Sequence, residues 1–263
     1  VEFDRYFNEI KTITTTPNPL LRKEGVSTET DSPPCEGGAR GGSAVVQPGV
    51  YYRDFEKETL KHKLIFPSYP ASKSICAIGG MIANNSGGEK TLRYGQTNRY
   101  VRRLKAVLSD GNEYEFKKLD AIELQKKKSL DDFEGRIYRK IYEILEDNFE
   151  IIQKARPVVS KNSAGYYLWN IWDRKYFDLT QLLVGSQGTL GIITEAELHL
   201  VKKEKYSRLV VVFLDGLSKM TQFINTAQKY RPESLETFDD NTLKLALRFM
   251  PDIAKKIGAG NFL

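Results

Sequence analysis

Residues 66–95 read Phe-Pro-Ser-Tyr-Pro-Ala-Ser-Lys-Ser-Ile-Cys-Ala-Ile-Gly-Gly-Met-Ile-Ala-Asn-Asn-Ser-Gly-Gly-Glu-Lys-Thr-Leu-Arg-Tyr-Gly. The stretch holds two Gly-Gly pairs, Gly79-Gly80 and Gly87-Gly88, on either side of a short apolar run and an Asn pair. Glycine adopts backbone conformations that other residues avoid, and it lets a ligand lie directly against the main chain, where N–H groups can face phosphate or ring oxygens. One such pair is typical of an ordinary surface loop. Two pairs at this spacing favour a loop that holds a cofactor.

A second glycine-rich segment follows later in the chain. Residues 182–194 read Leu-Leu-Val-Gly-Ser-Gln-Gly-Thr-Leu-Gly-Ile-Ile-Thr, with Gly185, Gly188 and Gly191 at every third position before a β-branched run. The same argument about main-chain access applies to these glycines. We interpret the two segments together as one cofactor site built from two loops.

Four motifs follow one another in an order known from one protein family. They are Pro70 with Ser72, the run from Gly79 to Gly88, Arg93-Tyr94-Gly95, and the run from Val184 to Ile192. In this order they resemble the FAD-linked oxidases, the family of vanillyl-alcohol oxidase and p-cresol methylhydroxylase (PCMH). The likeness is greatest to the branch of D-lactate, glycolate and D-2-hydroxyglutarate dehydrogenases.

Three positions depart from the pattern of that branch. Tyr69 stands where the family usually has Asp, Ser86 where it has Ala, and Gln187 where it commonly has Glu. None of the three removes a glycine. Because the family's flavin contacts in these loops are largely through the backbone, the resemblance still implies a cofactor-binding loop.

The resemblance implies an α+β protein, the larger lobe of a PCMH-type FAD-binding domain followed by the start of an α+β substrate-binding cap. We assign residues 1–11 and 44–203 to the FAD-binding domain and residues 204–263 to the cap. The family's smaller lobe, with its Arg-Gly-Gly-Gly-Thr loop, and the rest of its cap have no counterpart in this sequence. We therefore expect a fragment of a longer protein.

Residues 12–43 are interpreted as a low-complexity, disordered insertion. They are dense in Gly and Pro and poor in apolar residues. Such a stretch cannot bury enough surface to offset the entropy lost on ordering. An insertion of this length is tolerated because the cost of closing a loop rises slowly with its length. A functional lid is the alternative.

The cofactor that the resemblance implies is FAD, bound noncovalently, since neither His62 nor His199 falls in a motif that attaches flavin. Tyr94 is expected to pack beside the cofactor and Ile192 to lie along its adenosine portion. The resemblance assigns no catalytic base and no metal ligand to this stretch. The expected cofactor contacts are Pro70, Ser72, Gly79, Gly80, Ala83, Asn85, Gly87, Gly88, Tyr94, Gly95, Gly188, Gly191 and Ile192.

The implied reaction of the parent enzyme is oxidation of a small D-2-hydroxy acid to a 2-oxo acid, with hydride transfer to flavin and an external electron acceptor. Two alternatives stay open within the flavoprotein interpretation. The chain is a catalytically inactive remnant, or it is one subunit of a split flavoprotein whose partner supplies the missing lobe. The enolpyruvyl-glucosamine reductases share the superfold but match the later segments less well.

Composition limits the remaining classes. The net charge is +6 and the sequence pI about 9.1, but Lys117, Lys118 and residues 126–128 alternate with acidic side chains and predict a solvated surface rather than a nucleic-acid site. The sequence contains no run of 18 apolar residues, so no transmembrane helix is predicted. Two cysteines, Cys35 and Cys76, fit a reducing compartment. We expect a cytoplasmic protein, with attachment to the inner face of the membrane as the alternative.

Local patterns predict the elements around the two loops. Alternating residues joined at Asp110-Gly111 predict a hairpin. A segment at 161–168, Lys-Asn-Ser-Ala-Gly-Tyr-Tyr-Leu, resembles one that leads toward the active centre of the family, although capping and packing are the simpler interpretation of Asn162 and Tyr166. The other predictions are a strand at 43–50, helices at 52–63, 135–155, 218–230 and 241–249, and strands at 209–214 and 235–238.

Overall fold

The structure is a computed structural model that describes residues 7–15 and 41–249. Its strands are β1 (Ile10–Thr14), β2 (Gly42–Val46), β3 (Leu64–Ile65), β4 (Val101–Val107), β5 (Glu113–Leu119), β6 (Phe177–Asp178) and β7 (Ile192–Lys202). Its helices are α1 (Tyr52–Lys61), α2 (Ile78–Ala83), α3 (Thr91–Tyr94), α4 (Ala121–Lys128), α5 (Phe133–Asp147), α6 (Phe149–Lys154), α7 (Thr180–Leu183), α8 (Met220–Gln228) and α9 (Asp240–Phe249).

The strands form one antiparallel sheet in the order β1-β2-β7-β4-β5-β6, and β3 also pairs with β7. The long strand β7 lies at its centre because it pairs with β2 on one side and β4 on the other. The residues with their side chains toward the core are fully buried, among them Ala44, Leu104 and Leu198. Helices and antiparallel strands combine as the predicted α+β class requires.

The β4–β5 hairpin confirms the prediction made from alternation and the Asp110-Gly111 pair. Gly111 has φ +82°, a conformation that glycine adopts without strain, and its N–H donates to Leu108 O at 3.0 Å. Helix α1 is also confirmed, and it ends near Lys63, whose own φ is positive at +59°.

Both ends of the predicted insertion at 12–43 form β-strands. Thr12, Ile13 and Thr14 belong to β1 and pair with β2, which itself begins at Gly42. The correction has a simple cause: a β-branched run gains stability once a neighbouring strand satisfies its backbone groups. Residues 16–40, the rest of the predicted insertion, lie outside the described residues, as does Cys35.

The predicted helix at 135–155 is two helices, α5 and α6. Asn148 interrupts them with φ −116°, and its Nδ2 donates to Ile144 O at 2.9 Å, so the side chain satisfies a carbonyl at the end of α5. Asn side chains compete in this way with the helical backbone, which periodicity alone does not reveal.

The two strands predicted at 209–214 and 235–238 are absent from the described residues, whereas the helices predicted around them appear as α8 and α9. Leu209 to Leu214 are exposed and are not assigned to a strand in the described ranges. The prediction was wrong because local pattern gives strand propensity, while a strand also needs a partner.

Candidate functional site

The two glycine-rich segments contact each other directly. The N–H of Gly185 donates to Ile82 O at 3.0 Å and that of Gln187 to Ala83 O at 2.9 Å, so the second loop binds the carboxyl end of α2. Gln187 Nε2 also donates to Asn84 Oδ1 at 3.1 Å. We call this paired structure, residues 78–95 and 185–191, the cradle.

Most of the predicted glycines are needed by the protein's own packing. A Cβ at Gly79 would stand 2.6 Å from Pro48 Cβ, and one at Gly191 would stand 2.8 Å from Val107 O. At Gly87 it would collide with Thr91 Oγ1, and at Gly88 with the carbonyl of Tyr69. Gly95 has φ +74° and lies against Arg99. These five positions therefore demand glycine whether or not a ligand binds.

Gly80 and Gly188 differ from the other glycines in the cradle. No atom of the described residues comes within 4 Å of a Cβ built at either position. Gly80 lies inside α2 without a positive φ, so neither space nor conformation requires glycine there. Gly188 has φ +76° but also faces open space. Both positions are exposed, which leaves bare main chain on the surface of the cradle.

The two open glycines are linked through two amide side chains, those of Asn84 and Gln187. Asn84 follows Gly80 by one helical turn, and its N–H donates to Gly80 O at 3.0 Å, so the two residues share a face of the chain. Gln187, which precedes Gly188, contacts Asn84. We call these four linked residues the strip; all of them are exposed: Gly80, Asn84, Gln187 and Gly188.

Asn85 is an architectural residue of the cradle. It is fully buried, has φ +45°, and its Oδ1 accepts from the N–H of Asn98 at 2.9 Å. Its backbone N–H and C=O are also bonded, to Ile82 O and to Gln96 Nε2. Among its polar atoms only Nδ2 has no partner in the described residues. That amide nitrogen is itself buried, so Asn85 presents no exposed atom at the surface of the cradle.

A second set of bonds fixes the turn between α2 and α3. The carbonyl of Ser86 accepts from Ser68 Oγ at 2.9 Å and from Thr97 Oγ1 at 2.8 Å. Ser86 is itself almost fully buried, so the Ser that replaces the family's Ala lies inside the turn. A turn so tightly bonded holds Gly87 and Gly88 in one conformation.

Four other predicted contacts lie at the margins of the cradle. Pro70 and Ser72 form the turn before α2, where the Ser72 carbonyl accepts from the N–H groups of Ile75 and Cys76. The Ala83 carbonyl accepts a hydrogen bond from the N–H of Gln187 at 2.9 Å. Ile192 is half exposed at the start of β7.

Tyr94 packs at the edge of the cradle, near the ion pair that Lys90 forms with Glu233. Burial raises the pKa of the Tyr94 hydroxyl, which also lies near the Glu233 carboxylate. Glu233 accepts from Lys90 Nζ at 3.0 Å, and Lys90 follows the second Gly-Gly pair. The chain after β7 thus reaches back to the cradle through Glu233.

Sequence reasoning treated the segment at 161–168 as packing, but the structure makes it a wall of the cradle. Gln96 joins the two: its Nε2 donates to Asn85 O at 2.7 Å and its Oε1 accepts from the N–H of Asn162 at 2.8 Å. Tyr166 Oη lies 2.8 Å from Thr189 Oγ1 in the second loop. The signal available in the sequence was the resemblance of this segment to the family, not its local pattern.

Three further findings concern the described residues as a whole. Their helices include none with the length and apolar character to cross a membrane. No cluster of three or more His, Cys, Asp or Glu among them could hold a metal ion. Cys76 is a free, half-buried thiol whose pKa is raised by burial, as expected for a packing role beside the loop.

Residues 36–117, which include the first loop, match the FAD binding domain family. The chain is 28% identical over 204 residues to a D-2-hydroxyglutarate dehydrogenase of Pseudomonas putida, a match that covers 77% of this chain and 20% of the relative. It is 32% identical over 203 residues to the glycolate oxidase subunit GlcD of Bacillus subtilis, covering 76% of this chain and 33% of the relative. The chain is thus similar to an FAD binding domain over residues 36–117 and to these two relatives over about three quarters of its length.

FAD is the cofactor of the domain that residues 36–117 match. The exposed backbone at Gly80 and Gly188 fits such a group, because an extended cofactor can lie on main chain where no side chain intervenes. The chain spans between a fifth and a third of the length of these relatives. Among solved structures, an alkyldihydroxyacetonephosphate synthase matches 62% of this chain and 20% of its own length, at 20% identity and a TM-score of 0.37.

Proposed function

We propose that the chain binds FAD noncovalently along the strip from Gly80 to Gly188. We further propose that the protein to which it belongs oxidises a D-2-hydroxy acid to a 2-oxo acid. The observation that carries the proposal is the pair of glycines that neither packing nor, at Gly80, conformation requires. A residue that costs stability and serves no packing purpose is expected where a ligand approaches the backbone.

Noncovalent binding is supported by the positions of the two histidines. His199 lies in β7, where its ring stacks on Tyr100 with the centroids 6.4 Å apart. His62 follows the end of α1 and is exposed. Neither belongs to the cradle, so neither is placed to attach a cofactor lying between Gly80 and Gly188.

The chemistry divides between the cofactor and the chain. Bound FAD supplies a hydride acceptor for the α-carbon of a hydroxy acid. The residues of this chain bind and orient the group: Gly80 and Gly188 admit it to the backbone, and Asn84 and Gln187 offer neutral amides beside it. The substrate class rests on the names of the two relatives, since 2-hydroxyglutarate and glycolate are both 2-hydroxy acids.

FAD binding is tested by titrating the purified chain with FAD and following flavin fluorescence and the visible spectrum after desalting. The informative variant is Gly188→Ala, with Gly111→Ala as its control. The two glycines have φ of +76° and +82°, and a Cβ at either meets no atom of the described residues within 4 Å. Alanine should therefore strain both backbones equally, by about 1–2 kcal/mol.

Only Gly188→Ala is expected to weaken FAD binding, by at least about tenfold, because a methyl group there would occupy the cofactor's place. Gly111→Ala lies in the β4–β5 turn and should bind FAD as the unmodified chain does. Equal FAD affinity in both variants would contradict the proposed strip. If retained flavin is found, dye reduction with a panel of D-2-hydroxy acids then tests the substrate class.

A second candidate is that the chain is one subunit of a split flavoprotein. The observation that favours it is the run Leu209 to Leu214, which is apolar and exposed. Co-expression with the product of the neighbouring reading frame tests this candidate. FAD retained only after co-expression would support it, and FAD retained by the chain alone would remove its basis.

A further inference from the structure

Tyr166 stands at the open side of the cradle, bonded to the second loop. Its Oη lies 2.8 Å from Thr189 Oγ1, and Thr189 directly follows Gly188. The side chain is 41% exposed, although Tyr167 beside it is buried. A hydroxyl fixed next to an open glycine and still reachable from outside is well placed to contact whatever lies on that glycine.

The direction of the hydrogen bonds determines what Tyr166 can offer. Thr189 Oγ1 donates its proton to Ser186 O at 2.6 Å. The Thr189 oxygen is then the acceptor in its bond with Tyr166, and the phenol is the donor. The phenol proton is thus used within the protein. What remains free is the acceptor capacity of the phenol oxygen.

The segment that carries Tyr166 is also held by hydrogen bonds that do not involve Thr189. Gln96 Oε1 accepts from the N–H of Asn162, and Asn162 Oδ1 accepts from the N–H of Ala164 at 3.0 Å. Gly165, with φ +69° and nothing near its missing side chain, turns the chain into Tyr166. Anchors on both sides reduce the entropy lost when the phenol orders against a ligand.

We propose that Tyr166 accepts a hydrogen bond from an N–H or O–H donor of FAD bound at Gly188. The proposal rests on the proposed function and deepens it by adding a side-chain contact to a site otherwise made of backbone. Tyr166 is then a binding residue of the cradle, and Thr189 is a positioning residue that directs the phenol proton away from the cofactor.

The test compares Tyr166→Phe with Thr189→Val and with a control, Tyr206→Phe, which makes the same chemical change at a tyrosine that is 71% exposed outside the cradle. FAD dissociation constants are measured by fluorescence quenching, and thermal unfolding is followed without FAD. Tyr166→Phe should raise the dissociation constant about five- to tenfold, as expected for one lost hydrogen bond. Thr189→Val should raise it less, since the phenol oxygen remains an acceptor. Tyr206→Phe should leave it unchanged.

The outcomes separate three cases. An unchanged dissociation constant in Tyr166→Phe overturns the contact while leaving FAD binding itself intact. Equal losses in Tyr166→Phe and Thr189→Val, together with equal drops in the unfolding temperature without FAD, also overturn it, because the tyrosine would then only hold its segment in place. An unmodified chain that binds no FAD would remove the proposed function together with this contact.

Discussion

A glycine inside a helix costs the chain about 0.5–1 kcal/mol relative to alanine, so its presence needs a reason. At Gly80 no packing reason exists among the described residues, since a Cβ there meets nothing within 4 Å. We predict that Gly80→Ala raises the unfolding free energy of the cofactor-free protein by about 0.5–1 kcal/mol. The same change should lower FAD affinity, because the methyl group covers exposed backbone. Urea unfolding and an FAD titration measure the two effects.

The neighbouring Gly79 is the matched control. A Cβ at Gly79 would lie 2.6 Å from Pro48 Cβ, so Gly79→Ala should destabilise the protein by about 1–3 kcal/mol, the usual cost of overpacking. Opposite signs of the stability change at adjacent glycines would show that their requirements differ. A loss of stability in both variants would contradict the assignment of Gly80 to ligand access.

At this scale the sequence predicted the location of the site better than the role of each residue. The spacing of glycines indicated two loops that bind something, and the loops do meet. The sequence did not distinguish Gly79, which packs on Pro48, from Gly80, which packs on nothing. That difference depends on residues far away in the chain. The sequence named Tyr166 as a candidate near the active centre, but its contact with Thr189 joins segments that only the fold brings together.

The central strand β7 carries a histidine that should make stability depend on pH. Burial, with a smaller contribution from the Arg102 charge, lowers the pKa of His199 from 6.5 to about 4. Between these values the unfolded chain takes up a proton that the folded protein excludes, so the unfolding free energy falls as the pH falls. From pH 7.5 to pH 5 we expect a loss of about 2 kcal/mol from this residue.

Urea unfolding at pH 7.5 and pH 5 of the unmodified chain, His199→Gln and His62→Gln measures that loss. His62 is the only other histidine and is exposed, so its variant should keep the full pH dependence. His199→Gln should be less stable overall but should lose most of the difference between the two pH values. An undiminished difference in His199→Gln would assign the acid sensitivity to another group.

The pH range is chosen to leave the neighbouring carboxylate ionised. Glu195, also in β7, pairs with Arg103 at 3.0 Å and with Lys11 of β1. Although burial opposes it, these cations lower the Glu195 pKa below its usual value. The Glu195 carboxylate therefore contributes its full stabilisation above the usual pKa of glutamate. That stabilisation is lost only as the pH falls further, below the range of the experiment.

Elements with local causes were predictable from the sequence, and elements with distant causes were not. The β4–β5 hairpin follows from alternation and the Asp110-Gly111 turn, and α1 from its spacing of apolar residues. Strand β1 was missed because the stability of Thr12 to Thr14 comes from pairing with β2. The strand predicted at 209–214 does not form in the described residues, where local propensity alone did not suffice.

At the scale of the whole molecule, the chain after β7 is joined to the cradle mainly by charge. Lys90 pairs with Glu233 at 3.0 Å, and Arg93 pairs with Glu204 at 3.1 Å. The run Leu209 to Leu214, which lies between Glu204 and Glu233 in the sequence, is exposed and adds little buried surface to the core. The Arg93–Glu204 pair is exposed, and the Lys90–Glu233 pair is partly buried. An exposed ion pair contributes about 0–1 kcal/mol, so this part of the molecule should be the first to separate from the sheet on unfolding.

The exposed run Leu209 to Leu214 should also promote self-association of the isolated chain without adding to its stability. Contiguous exposed apolar residues bind hydrophobic dyes and promote self-association. We predict that replacing Val210 and Val212, which are 78% and 44% exposed, by Glu lowers dye fluorescence by about half or more and reduces light scattering on concentration. The melting temperature should change by less than about 1 °C, since surface changes of this kind cost little.

A matched Val46→Glu change, at a fully buried position of β2, should unfold the protein. If the double Glu variant unfolds as well, Leu209 to Leu214 must be packed in solution, and the exposed run would no longer support a partner strand.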